Sequence, residues 1–208
     1  MAAVQPIELL RLGRVLPVVV IERVDDAVPV AKALLAGGVS TLELTLRTPV
    51  ALAAIERVAT AVPEILVGAG TVVSPAQARD AVRAGARFLV SPGSPPALVD
   101  AMLDQRVPVL PGVATVTEAM AMLERGLTEL KFFPAQTSGG TAQLRAWQGP
   151  LPQLTFCPTG GITPDTAAEF LALSNVACVG GSWLTPQSLV GKGDWQGIAA
   201  LAAKAAEW

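Results

Sequence analysis

Short apolar runs recur about every 20 to 25 residues along the chain, and each is followed by an alanine-rich stretch with helical spacing. The runs that predict strands are Leu16–Ile21, Thr41–Leu46, Ile65–Ala69, Phe88–Ser91, Pro108–Gly112, Glu129–Phe133, Leu154–Pro158 and Val176–Gly180. Amphipathic spacing predicts helices over Asp25–Ala36, Val50–Ala61, Pro75–Ala84, Pro95–Gln105, Val116–Arg125, Thr141–Trp147, Pro164–Leu173 and Trp195–Ala206. Several of these open with proline in the first turn, where an N–H has no helical partner to lose. A further short helix is expected at Ile7–Leu12. Strand followed by helix, eight times over, is the pattern of βαβ units. The expected fold class is therefore α/β, a (β/α)8 TIM barrel with a short N-terminal helix. Periodicity cannot by itself show closure, and an open doubly wound sheet is the alternative. No Gly/Ser-rich linker, low-complexity tract or charge block interrupts the pattern, so residues 1–208 read as one barrel domain.

Composition narrows the class of partner. A chain of 208 residues suits one compact domain. Only 15% of residues are charged and the net charge is −2, which leaves no basic footprint for nucleic acid or an acidic membrane and makes a small molecule the expected partner. The N-terminus lacks a signal-peptide pattern, and no apolar run approaches the ~18 residues of a membrane span, so a cytoplasmic protein is expected. The chain has no histidine and no tyrosine. That removes imidazole acid/base catalysis, Ser-His triads, phenolic proton donors and histidine-ligated zinc. Cys157 and Cys178 lie in apolar runs without metal or redox spacing and read as buried, inert thiols.

In a barrel the active site lies at the C-terminal ends of the strands, so polar residues there carry the candidate chemistry. In Leu42-Glu43-Leu44-Thr45-Leu46-Arg47 the leucines share one face, toward the helices, and Glu43, Thr45 and Arg47 share the other. Buried charges are costly unless they meet partners or substrate. A structural Glu43–Arg47 pair is the alternative to a site. In the later run Glu129-Leu130-Lys131-Phe132, alternation turns Lys131 away from the apolar neighbours and inward, and it is the only lysine on a predicted strand. A low-dielectric pocket or a neighbouring cation makes a lysine nucleophilic toward a ketone. A plain ion pair with Glu129 or Glu43 is the alternative. Two glycine pairs, Gly160-Gly161 after Thr159 and Gly180-Gly181 before Ser182, stand where barrels bind phosphate through backbone N–H groups. Thr71 after the third run is a candidate carboxylate donor, and simple turn chemistry is the alternative there as at the glycine pairs.

Taken in order and spacing, Glu43-Leu44-Thr45-Leu46-Arg47-Thr48, Gly68-Ala69-Gly70-Thr71-Val72, Ser91-Pro92-Gly93, Lys131-Phe132-Phe133-Pro134-Ala135, Cys157-Pro158-Thr159-Gly160-Gly161-Ile162 and Gly180-Gly181-Ser182-Trp183-Leu184 resemble the 2-keto-3-deoxy-6-phosphogluconate (KDPG) aldolase family, whose members include 4-hydroxy-2-oxoglutarate aldolases. The likeness spans nearly the whole chain. It implies a class I aldolase barrel that needs no cofactor and no metal and assembles as a homotrimer. It also implies that Lys131 is the Schiff-base lysine and Glu43 the carboxylate that moves protons. Arg47 and Thr71 would hold the keto-acid carboxylate, and Pro92 and Phe133 would wall the pocket. Thr159, Gly160, Gly161, Gly180, Gly181 and Ser182 would take the distal hydroxyls and phosphate. The implied substrate is a phosphorylated 2-keto acid, cleaved to pyruvate and glyceraldehyde 3-phosphate. Gln136 departs from the family, whose members often carry Glu there. A 2-keto-3-deoxy-6-phosphogalactonate aldolase, a phosphate-binding barrel isomerase or epimerase, and a non-catalytic phosphosugar-binding barrel are the rival readings.

Overall fold

The computed structural model describes residues 5–208. Its strands are β1 (Val15–Val19), β2 (Thr41–Thr45), β3 (Leu66–Gly70), β4 (Leu89–Val90), β5 (Val109–Leu110), β6 (Gly112–Val113), β7 (Glu129–Phe132), β8 (Thr155–Pro158) and β9 (Val179–Gly181). The helices are α1 (Pro6–Arg11), α2 (Ala27–Ala36), α3 (Ala51–Ala61), α4 (Pro75–Arg83), α5 (Pro96–Leu103), α6 (Val116–Glu124), α7 (Gly140–Trp147), α8 (Pro164–Leu171), α9 (Gln187–Val190) and α10 (Trp195–Ala206). Each predicted run has its counterpart. The differences are a 3-10 turn at Val24–Asp26 ahead of α2, the four-residue α9, and a break in the fifth run. Pro111 separates β5 from β6 because it has no N–H to give a ladder.

All pairings are parallel, so the fold is α/β with parallel sheet. The strands form a six-stranded sheet in the order β5-β4-β3-β2-β1-β9 and a three-stranded sheet in the order β6-β7-β8. Single bridges, Phe156 with Val176 and Thr159 with Gly180, join the β8 and β9 sides. The continuous eight-stranded ladder expected from the sequence is thus replaced by two sheets that meet at Pro111 and at the β8–β9 seam.

Alternation along the strands sorts the core into two clusters. Val19, Leu42, Leu44, Val67, Leu130, Phe132 and Phe156 are buried together with the apolar faces of the helices. On α2 that face is Ala27, Val30, Ala31 and Leu34, spaced at one and two helical turns. The Trp147 ring of α7 meets Phe132 edge-on at 5.4 Å and Phe156 at 5.5 Å, which braces β7 and β8 from outside. The opposite strand faces supply Leu16, Phe88, Val90, Leu110, Cys157 and Cys178, and Leu9 and Leu10 of α1 pack onto them. Helix starts are fixed locally. The Ser74 hydroxyl accepts from Gln77 N at the start of α4, and the Asp194 carboxylate accepts from Gly197 N at the start of α10. Among the described residues no helix is long and apolar enough to cross a membrane.

Candidate active site

Lys131 sits mid-strand in β7, in register with Gly112 on one side and Cys157 on the other. Leu130 and Phe132 face the helices, so the lysine is turned to the opposite face and is 3% exposed. Its Nζ donates to Oε1 of Glu43 at 3.3 Å. Glu43 reaches this point from β2 and is 1% exposed. Of the five ion pairs among the described residues, this one alone has both side chains buried. The Phe133 ring lies with its centroid 5.2 Å from the ammonium nitrogen, close enough for a cation–π contact. An amine and a carboxylate in hydrogen-bond contact, held out of water, are the parts required for imine chemistry at a ketone.

The rim above this pair is built from strand ends. Thr45 and Thr48 donate to the carbonyls of Val19 and Ile21, which ties the end of β2 to that of β1. The backbone turns after Thr45, and Arg47 N donates back to the Thr45 carbonyl. Arg47 is therefore not inside the strand layer beside Glu43, as simple alternation predicts. It lies exposed at the rim, with Nε donating to Thr71 Oγ1 at 3.0 Å. Thr71 holds φ at 55°, in the left-handed region that a β-branched residue rarely occupies. Ser91 Oγ donates to Gly93 O at 2.7 Å and shapes the turn carrying Pro92. The lack of a side chain at Gly112 allows the Pro92 backbone to close onto β6.

A cavity of about 190 Å³ opens beside Phe133. Arg47, Phe133, Thr159, Gly160, Gly161, Gly180 and Ser182 line it, which brings together seven residues singled out in the sequence. Gly160 and Gly161 both hold positive φ, at 101° and 76°, so the loop after β8 needs glycine there. Thr159 is buried against Gly180. Lys131, Glu43, Thr71, Pro92 and Gly181 do not line this cavity, and Lys131 meets its wall through the Phe133 ring. Ser182 also faces an adjoining cavity of about 410 Å³ with Glu22, Trp183 and Gln187. Val18 and Ile162 complete the smaller cavity. Neither is assigned a role from the sequence, where Ile162 stands only as the last residue of a motif and Val18 within a strand run, because a lone aliphatic residue carries no chemical signal apart from its place in a strand or loop.

The two thiols belong to the cluster of Leu16, Phe88, Val90 and Leu110. Cys157 and Cys178 are buried and free. The Cys178 thiol is held well above the ordinary thiol range, first by its hydrogen bond with Cys157 and then by burial. Among the described residues no group of three or more His, Cys, Asp or Glu side chains is placed to hold a metal ion.

The family model for KDPG and KHG aldolases matches residues 7–201. KHG/KDPG aldolase of Escherichia coli strain K12 is 48% identical over 199 residues, covering 96% of this chain and 93% of its own. KDPG aldolase of Legionella pneumophila, whose crystal structure captures pyruvate at low pH as a covalent carbinolamine, is 46% identical with a TM-score of 0.95, covering 97% of this chain and 98% of that one. KDPG aldolase of Zymomonas mobilis ZM4, solved with 3-phosphoglycerate, is 46% identical with a TM-score of 0.90, covering 95% and 92%.

Proposed function

The chain belongs to the KDPG and KHG aldolase family, and from that premise we propose that it cleaves 2-keto-3-deoxy-6-phosphogluconate to pyruvate and glyceraldehyde 3-phosphate through a Schiff base on Lys131. The observation that carries the assignment is the buried contact between Lys131 Nζ and Glu43 Oε1 at 3.3 Å.

Lys131 adds to the C2 ketone, and Glu43 supplies and removes protons as the carbinolamine loses water to give an iminium ion. The iminium is the electron sink. Loss of the C4 hydroxyl proton breaks the C3–C4 bond, glyceraldehyde 3-phosphate departs, and the electron pair is held as an enamine. Glu43 returns a proton to C3, and hydrolysis of the resulting imine releases pyruvate and the free amine. Arg47 and Thr71 hold the keto-acid carboxylate, with Pro92 and Phe133 as walls around the reacting carbons. Thr159, Gly160, Gly161, Gly180, Gly181 and Ser182 receive the distal hydroxyls and phosphate, and the positive φ of Gly160 and Gly161 supports a backbone that can approach an anion closely. The chemistry needs no metal and no organic cofactor. 4-Hydroxy-2-oxoglutarate is a second substrate on this reading, supported by the double name of the Escherichia coli relative.

The same reading makes residues 1–208 one catalytic domain, a closed (β/α)8 barrel that works as a homotrimer in the cytoplasm. Closure is supported by the bridges at the β8–β9 seam and by the single residue, Pro111, between β5 and β6. The test is borohydride reduction of the protein in the presence of pyruvate, followed by peptide mass mapping. A reduced adduct on Lys131 is expected. An adduct on another lysine, or none, refutes the assignment.

A further inference from the structure

Glu43 has a long reach, and something must determine where its carboxylate ends up. In register Glu43 faces Gly68 of β3, while its carboxylate runs two residues further, to Gly70. A Cβ placed on Gly70 would lie 2.5 Å from both Cγ and Cδ of Glu43 and would overlap Oε1. Oε1 is the oxygen that receives the Lys131 hydrogen bond. With Glu43 1% exposed, the carboxylate has no free solvent space into which to withdraw.

The backbone gives no reason for glycine at this position. Gly70 is absent from the glycines with positive φ, it is the last residue of a regular strand, and its carbonyl accepts from Leu46 N at 2.8 Å. An alanine would be conformationally ordinary there. What the glycine provides is volume, and the occupant of that volume is the carboxylate beside the nucleophile.

We propose that Gly70 is a positioning residue: the bare β3 backbone is the seat against which the Glu43 carboxylate rests, and it fixes the direction in which Oε1 meets Lys131. This rests on the assignment of Glu43 as the proton-moving group. A side chain at position 70 pushes the carboxylate off the amine, and Gly70 does not line the cavity beside Phe133. A displacement of about 1 Å at a catalytic group can cost on the order of 10²-fold in rate.

The test is a double-mutant cycle in the full chain, with Gly70→Ala, Glu43→Ala and the double variant, each followed by lactate-dehydrogenase-coupled turnover and by the rate of borohydride trapping with pyruvate. Gly70→Ala is expected to lower kcat by about 10²-fold with KM changed less than about threefold. Its pH–rate profile is expected to take the shape of the Glu43→Ala profile. In the Glu43→Ala background the added methyl group enters vacated space, so the second change should alter residual activity by less than about twofold. Equal losses in both backgrounds, or Gly70→Ala at the wild-type rate while Glu43→Ala is crippled, overturns the seat and leaves the Glu43 assignment standing. Glu43→Ala at the wild-type rate overturns the assignment and the seat with it. If Gly70→Ala does not fold, Tm decides: Glu43→Ala/Gly70→Ala melting at or above Glu43→Ala supports the seat, and melting well below it refutes the seat.

Discussion

Replacing Lys131 by methionine removes the amine and keeps most of the volume, so its cost reports on the charge left behind. At 3.3 Å the pair attracts by about 5 kcal/mol for an effective dielectric near 20. That attraction is set against the desolvation of two nearly inaccessible groups, so the intact pair contributes little net stability. Removing one partner leaves the Glu43 carboxylate buried alone, which costs about 3–5 kcal/mol. For a chain of this size each kcal/mol moves Tm by roughly 2–4 °C, so Lys131→Met should melt about 6–20 °C below wild type. The double variant Lys131→Met/Glu43→Gln has no charge to strand and should recover to within about 1–2 kcal/mol of wild type while remaining inactive. Urea unfolding of the four proteins, extrapolated linearly, closes the cycle. The reasoning fails if Lys131→Met is as stable as wild type, or if the two single costs add to within about 0.5 kcal/mol in the double variant.

Three further outcomes follow from the geometry. Thr71→Asn relieves a β-branched residue at φ 55° and should raise stability by up to about 1 kcal/mol. Because Arg47 Nε then loses its hydroxyl acceptor, KM for the keto acid should rise several-fold with a smaller change in kcat, and unchanged KM would refute the link. Glu118 is exposed, and the partial desolvation that opposes its charge is outweighed by hydrogen bonds from Ala114 N, Thr115 N and the Thr115 side chain, which lower its pKa. The contribution is present above the ordinary carboxylate value and is lost as pH falls through the lower folded one, so Thr115→Ala should cost about 1 kcal/mol at pH 7 and less at pH 3 in urea unfolding. For Cys178 the sign is opposite: its thiol is raised in the folded chain, so stability should fall as pH climbs past about 8.5. Cys178→Ala should flatten that slope, and an unchanged slope would show that another group is responsible.

Lys131 and Glu43 were legible because apolar neighbours on each side leave a strand residue one place to point. The glycine pairs were legible because the same dipeptide stands at the C-terminal ends of consecutive predicted strands, although Gly180 and Gly181 prove to be the last residues of β9 itself. Arg47 lines the cavity but from the exposed rim, not from inside the strand layer as alternation predicts. The β2 ladder stops at Thr45, and a turn closed by one backbone hydrogen bond resets the direction of the next side chains, which alternation cannot foresee. Pro111 was visible, but the split it imposes depends on which neighbour its carbonyl meets, here Lys131 N. The four residues of α9 are too few for a period to show. The contact between Gly70 and Glu43 joins residues 27 apart in the chain, and only the folded register reveals that one occupies the space the other leaves.

The bracing of β7 by Trp147 through Phe132 has a consequence for how this site tolerates change in length. Adding or deleting one residue within Glu129–Phe132 would exchange the two faces of the strand, sending the amine among the rings and a phenylalanine toward the substrate. The apolar side chains that hold Lys131 in phase lie on the opposite face of the strand, against the helices. Insertions and deletions are therefore expected to be tolerated in the loops beyond the strand ends, and inside the strand only replacements that keep its count.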